Sequence, residues 1–359
     1  MKVRLKKNQT VSTDALQMLI QGEANVLSNS LICSASKDFL DYFKEENIGA
    51  DCDPKCGNCQ CGGCALGGKS ISIKNEREYE IMKNNLQYDA VGSKDDPGPY
   101  WRSSFPWEID REQLGDNKSV VLGTLRGTLK KLQKDPLWRK TYEEQLNALI
   151  DNGFARSVSA EELNSWMKAG KKTYYISHQM VVVPDNKTTP IRVVFNSSQK
   201  CMGKSLNGCL ALGPEIMNNL QAILLRFREH KVAAAGDIRK MFYCVRIALE
   251  DQMCQLWCHQ FEGSDTVETF CMTRLVMGNK PSTGISGVAV KETTKLEIFE
   301  HDYPVAREAL DRNSYVDNTN TGVDTHEQLR KNIQEIEYVA GKGGFSYKPW
   351  IVSGDKNPE

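Results

Sequence analysis

The sequence predicts an α+β fold whose last third follows a ferredoxin-like plan, and three observations carry that prediction. Residues 231–352 run strand, two paired strands, helix, hairpin, helix, strand; without the inserted pair this is a β-α-β-β-α-β split. Two amphipathic helical patterns precede it, within 117–153. Short polar turns between apolar β-rich runs recur as hairpin signals at "DNKTT", "EGSDT" and "DNTN". Such a sheet takes helices on one face and leaves the other as a platform for ligand-bearing residues.

Composition sets the limits. The 359 residues exceed one small domain, and 40% hydrophobic content suffices for a core. Lys+Arg and Asp+Glu are both 46, so only local patches bear on a nucleic-acid partner. No apolar run approaches the roughly 20 residues that span a bilayer, so no membrane partner is expected. The basic N-terminus lacks the apolar centre of a signal peptide. An intracellular location, cytoplasmic or nuclear rather than secreted, follows as the expectation, with the 12 cysteines as thiols or metal ligands.

Residues 1–50 read as a partly helical leader and 51–70 as a Cys-rich unit. Residues 71–116 read as a linker with aromatic anchors: a charged helical pattern over 71–90, "NEREYEIMKNNL", then "GSKDDPGPYWRSSFPWEID", rich in Pro, Gly and Asp around Tyr100, Trp101 and Trp107. "NKSVVLGTLRGTLKKLQKD" reads as an amphipathic helix with Asn117 as its cap; Pro136 and Gly153 bracket a second, with Leu137, Tyr142, Leu146 and Leu149 as its face. "YYISHQMVVVP" and "PIRVVFNSS" form a hairpin, "PEIMNNLQAILLRFREH" a helix, and "KVAAAGD" a strand ending on Asp237. "CQLWCHQF" pairs with "VETFCMTRLV", a helix opens after Pro281, and the hairpin "NSYVDNTNTG" follows. The helix "HEQLRKNIQEIEYVAG" and the strand in "GGFSYKPWIVSG" close the layout.

Asp237 at a strand end and Asp317 at a hairpin tip lie on adjacent central strands of that plan. Two acids brought together repel unless a cation sits between them. Mg²⁺ or Mn²⁺ takes such hard oxygen ligands, and two ions can clamp the attacking and leaving oxygens of a phosphoryl displacement. A strand-end cap and a turn-forming Asp explain the same two positions without any metal.

The surrounding blocks resemble reverse transcriptases of the Pao/BEL-type LTR retrotransposon polyproteins. "GDIRKMF", with an aromatic five positions after the Asp, is similar to the first catalytic block, and "YVDN" to the Tyr-x-Asp-Asp block. "FPWEID", "ISHQMVVVPDNKTTPIRVVFNSS", "MGKSLN", "GPEIMNNLQAILLRFRE", "MGNKPSTGIS" and "GGFSYKPW" follow in the family's order, covering roughly residues 50–355. The resemblance implies a right-hand polymerase: fingers over 117–230 with the return pair 248–276, and a palm over 231–355. It implies RNA-directed DNA synthesis from dNTPs on a nucleic-acid primer–template. Asp237, with the Ile238 carbonyl, resembles the first metal ligand and Asp317 the second. Phe242 resembles the ribose-checking aromatic, although a core Phe is the plain alternative. Arg192 resembles the fingers arginine along the triphosphate, with Lys187 nearby in the turn. Gly278 resembles the block that lets template and nucleotide approach the backbone, and Lys348 the lysine near the departing pyrophosphate.

The pattern breaks at Asn318, where the family carries Asp. The site keeps two formal charges instead of three, so weaker metal binding and impaired polymerisation are expected. Met277, Thr283 and Gly284 also depart from the block at 277–284. Thumb, ribonuclease H and integrase regions follow in the family, and this sequence shows no counterpart, so a polyprotein fragment is expected. The alternative is a remnant that binds nucleic acid or a partner without catalysis.

Two further features stand beside the catalytic blocks. Cys52, Cys56, Cys59, Cys61 and Cys64 put five thiols in 13 residues. Zn²⁺ takes four ligands, so the two CxxC pairs Cys56/Cys59 and Cys61/Cys64 are the natural set with Cys52 as alternate; iron–sulfur ligation or a flexible Cys-rich linker remain open. The resembling family carries a similar run before its polymerase blocks. Arg126, Lys130, Lys131, Lys134, Arg139, Lys140, Lys168, Lys171 and Lys172 form either a phosphate-tracking surface or a solvated helix face.

Overall fold

The structure, a computed structural model, describes residues 73–94, 96–182, 191–297 and 303–354. All of them belong to one unit, Lys55–Glu359. The leader over 1–50, the five cysteines of 52–64 and Lys187 lie outside the described residues.

The stretch expected as a linker is part of the fold. Helix α1 (Ile73–Asn84) leads into an antiparallel pair, β1 (Leu86–Asp89) and β2 (Tyr100–Ser103). Its prolines and glycines do mark turns, but between them Tyr100, Trp101 and Phe105 are buried. Trp101 donates its indole N–H to Thr293 Oγ1 at 2.9 Å, and Trp107 donates to Asp251 Oδ1 at 2.9 Å. Aromatic burial therefore overrides turn-rich composition here.

Helix α2 (Lys118–Leu132) buries Val121, Leu125, Thr128 and Leu132 at helical spacing. Asn117 precedes it but makes no cap. Its amide instead exchanges bonds with the Tyr175 main chain, at 2.6 and 2.9 Å. Helix α3 (Pro136–Asp151) is capped by Asp135 Oδ1, which accepts from the Leu137 N–H. Tyr142 and Leu146 are buried, whereas Leu137 is exposed: five positions from Tyr142 is well off one helical face. Strand β3 (Ala155–Ser157), helix α4 (Ala160–Lys168) and the hairpin β4 (Ser177–Val182) to β5 (Ile191–Asn196) follow, then the short helix α5 (Leu206–Cys209).

The next helix is shorter than its apolar pattern. Helix α6 (Leu220–Phe227) starts only after Asn219, whose side chain accepts from Ala222 N–H. Asn218 is withdrawn from helix by donating to the Asp311 and Ser314 carbonyls, at 2.9 and 2.8 Å.

Strand β6 (Val232–Asp237) then opens the ferredoxin-like part. Between it and its crossover helix lie α7 (Met241–Cys244), β7 (Arg246–Ile247), α8 (Leu249–Gln252), β8 (Leu256–His259) and β9 (Glu268–Met272). Strand β9 pairs with β8 on one side and β3 on the other, and β7 runs parallel to β2. The crossover α9 (Ser282–Thr293) is followed by α10 (Pro304–Arg312), β10 (Ser314–Tyr315), β11 (Asn318–Val323), α11 (His326–Lys342) and β12 (Ile351–Val352). The sheet order is β10-β11-β6-β12, all neighbours antiparallel, which is the order of the split βαβ plan. Val232 and Ala234 of β6 pack with Leu329 and Ile333 of α11, so that helix covers one face. Alternation puts Asp237 on the other. A Cβ added to Gly236 would lie 2.7 Å from the Trp350 ring, so only glycine lets the last strand close over β6 here.

The polar core beside β4 holds two histidines. His178 Nε2 lies 2.9 Å from the Cys258 carbonyl, an acceptor only, so Nε2 carries the proton and Nδ1 accepts from Tyr142 Oη at 2.6 Å. His259 Nε2 is 3.4 Å from Glu143 Oε1, which Arg139 also holds at 3.0 Å, and His259 Nδ1 is buried without a partner. Burial, then mutual repulsion with His259, lowers the His178 pKa to about 3. Burial, then Arg139, lowers that of His259 to about 4. Both rings are neutral in the fold at pH 7, so the Glu143 contact is a long hydrogen bond rather than an ion pair.

The unfolded chain binds these protons below the ordinary value of 6.5, and the folded chain does not until about 4 for His259. Stability should fall as pH drops through that window, by about 1.4 kcal/mol per pH unit and histidine. Urea midpoints at pH 7 and pH 5 measure this. His259→Phe should shrink the loss; an unchanged pH slope in that variant would refute the assignment.

Candidate metal and nucleotide site

The site is built by main-chain bonds around the end of β6. Tyr315 and Asn318 pair across a two-residue turn, Val316-Asp317, with Val316 at φ +55°. Only then does β11 start, and its first residue, Asn318, stands opposite Asp237 in the β6 ladder. Register partners share a face, so Asn318 and Asp237 project on the same side, away from α11. The Ile238 N–H donates to the Asp317 carbonyl at 2.7 Å. From the other side, the Lys348 N–H donates to the Asp237 carbonyl at 2.8 Å, and the Arg239 N–H to Ser346 at 2.7 Å. Asp237 is thus clamped between the hairpin and the approach to β12.

The tip is braced from below. Thr319, fully buried, has its hydroxyl 2.9 Å from Ser314 Oγ and 2.8 Å from Tyr347 Oη. Neither serine, threonine nor tyrosine carried a spacing signal, so this support was not legible in the sequence.

Side chains complete the charge pattern. Lys348 Nζ lies 2.9 Å from Asp237 Oδ1. The angles are not those of a hydrogen bond, so this buried oxygen accepts none and meets only the ammonium charge. Asn318 donates its amide N–H to Asp317 Oδ1 at 3.2 Å. Two carboxylates, with an amide carbonyl beside them, are hard oxygen donors, and a buried carboxylate oxygen without a donor suits a divalent cation. The residues present fit such an ion, with Asn318 where a third charge would strengthen it. Among the described residues no group of three or more His, Cys, Asp and Glu forms a metal cluster.

The remaining expected residues sit elsewhere in the fold. Phe242 is half-buried in α7 and packs against the main core. Arg192 is exposed on β5, opposite Val181. Gln145 of α3 fixes its two neighbours, donating to the Ile191 carbonyl at 2.7 Å and accepting from Val193 N–H at 3.2 Å. Gly278 has a packing reason of its own. A Cβ there would lie 2.3 Å from the Phe195 carbonyl, and Asn207 donates to the Gly278 carbonyl at 2.9 Å. The close backbone approach expected at this glycine is made by the chain's own β5.

Of the basic residues, Arg126, Lys130, Lys131, Lys134, Lys140, Lys168 and Lys171 are exposed, whereas Arg139 is engaged by Glu143. No described helix is long and apolar enough to cross a membrane. The six described cysteines are free thiols, four of them buried.

No family model matches the chain, and no curated protein matches it. Among solved structures, native prototype foamy virus protease-reverse transcriptase aligns at TM-score 0.41 and 16% identity, over 59% of this chain and 24% of that one. Its selenomethionine-labelled CSH mutant aligns at 0.42 and 14%, over 59% and 24%. The foamy viral protein in complex with RNA/DNA hybrid aligns at 0.36 and 18%, over 52% and 22%. The match spans about a quarter of the length of these chains.

Gly278→Ala should destabilise the fold by about 1–3 kcal/mol, because carbonyl and Cβ cannot both keep their places. A thermal melt measures it; a variant melting with the unaltered protein would refute the packing account.

Proposed function

We propose that the described unit is a reverse-transcriptase-type fingers–palm region of the Pao/BEL class, descended from an RNA-directed DNA polymerase and impaired by Asn318. The observation that carries the reading is the β6–β11 register, in which Asn318 faces Asp237 while the Asp317 carbonyl receives the Ile238 N–H. The quoted motifs supply the family; the register supplies the adjacency those motifs require.

In this reading Asp237, Asp317 and the Ile238 carbonyl hold Mg²⁺ or Mn²⁺, with the Asn318 carbonyl as a neutral fourth donor. The ions, when bound, supply charge neutralisation of the attacking primer 3′-oxygen and the leaving pyrophosphate. Phe242 checks the sugar, Arg192 and Lys187 face the triphosphate, and Gly278 shapes the nucleotide's floor. Lys348 is the proton donor nearest the leaving group, provided that it leaves Asp237. The exposed basic residues of α2 track a primer–template backbone. Cys56, Cys59, Cys61 and Cys64, with Cys52 as the alternate, would hold Zn²⁺ in this reading.

The runner-up is a unit that binds nucleic acid or a partner without catalysis. The internal pairing of both acids, Asp237 with Lys348 and Asp317 with Asn318, favours it.

Primer extension on an RNA template with Mg²⁺ or Mn²⁺ separates the readings. The unaltered chain should bind primer–template with steep salt dependence and extend it weakly or not at all. Asn318→Asp should raise extension by about tenfold or more, through one added anionic ligand. Robust extension by the unaltered chain would overturn the impairment, and no extension by either would favour the binding-only reading.

A further inference from the structure

We propose that Lys348 is a built-in counter-ion that competes with divalent cations for Asp237, halving the site's negative charge without metal. This inference rests on the metal-site reading above and adds a residue that sets its affinity.

The geometry is specific. The lysine is placed twice: its own N–H is bonded to the Asp237 carbonyl at 2.8 Å, and its ammonium reaches the same residue's Oδ1 at 2.9 Å. That oxygen is buried and has no hydrogen-bond donor, so the ammonium occupies the approach a cation would use. Meanwhile Asp317 Oδ1 is held by the Asn318 amide at 3.2 Å. An aspartate at 318 could not donate that bond and would add a charge. With asparagine there, Asp237, Asp317 and Lys348 sum to one negative charge, and each acid already has a partner.

An ordinary surface ion pair is the plain alternative. Lys348 is half-exposed, and such pairs add little stability. Stability is therefore a poor reason for this contact, but competition needs none. A cation entering must displace the ammonium from Asp237, and that displacement costs affinity even where the pair contributes nothing to folding.

The test is Mn²⁺ binding, followed by the loss of the free-ion EPR signal at low ionic strength. The unaltered protein, Lys348→Met, Lys348→Gln, Asn318→Asp and the double variant Asp237→Asn/Lys348→Met are compared. Either lysine variant should bind about tenfold more tightly or better than the unaltered protein. The double variant should lose that gain, and Mn²⁺ should raise the melting temperature of Lys348→Met more than that of the unaltered chain. Equal affinity in folded Lys348→Met or Lys348→Gln would overturn the proposal. If Asn318→Asp gains affinity while the lysine variants do not, the metal-site reading stands and only the lysine's role falls. A gain that survives Asp237→Asn would likewise overturn it.

Discussion

Everything at the site depends on the antiparallel register between β6 and β11. Side chains alternate faces along a strand, so a slip of one residue would turn Asp237 or Asn318 toward α11 and separate them. The register is held on the helix-facing side: Thr319 is buried against Ser314 and Tyr347, and Gly236 lies under the Trp350 ring. It is held at the open end by the Ile238 N–H on the Asp317 carbonyl. The small residues Ala233, Ala234, Ala235 and Gly236 make this possible. They let α11 and Trp350 approach one side without forcing bulk onto the other.

The chain then meets an electrostatic problem, two carboxylates at adjacent strand ends. Proteins relieve such a pair by a metal, by a shared proton or by internal donors. Here the internal partners are visible: an ammonium charge beside Asp237 and an amide donor on Asp317. A similar solution recurs in the core, where Glu143 is satisfied by Arg139 and the Glu262 N–H rather than by a charged His259. In the core, burial keeps His178 and His259 neutral.

How much of this was legible in the sequence varies by physical cause. Strongly periodic elements were: α2, α3, α9, α11 and the three hairpins follow from spacing, Pro and Gly signals, and the sheet order follows from their succession. Asn residues were misread because their side chains choose between capping and long-range bonds. Asn117 turned to Tyr175, and Asn218 to the Asp311 and Ser314 carbonyls, which shortened α6. Within 71–116 the helical pattern at the start is met by α1, but the linker reading misses the buried rings, because turn composition says nothing about where aromatic rings are buried. At the site, the adjacency of Asp237 and the hairpin was inferable from motif order. The Lys348 contact, the Thr319 brace and the packing role of Gly278 were not, since each joins residues far apart in sequence with no shared period.

The hairpin also shows that the place occupied by residue 318 does not depend on its side chain. Val316 is held at φ +55°, a conformation costing a β-branched residue about 1–3 kcal/mol, where glycine would fit freely. That strain is sustained by main-chain pairing on both sides of the tip: Tyr315 with Asn318 in the hairpin, and the Ile238 N–H on the Asp317 carbonyl. None of them uses the side chain at 318. An acid or an amide there differs in charge and in one donor, but neither removes any support from the backbone frame. Position and charge are therefore set by separate parts of the chain: the ladder fixes where Asp237 and Asn318 stand, and residues 318 and 348 fix the charge beside Asp317 and Asp237.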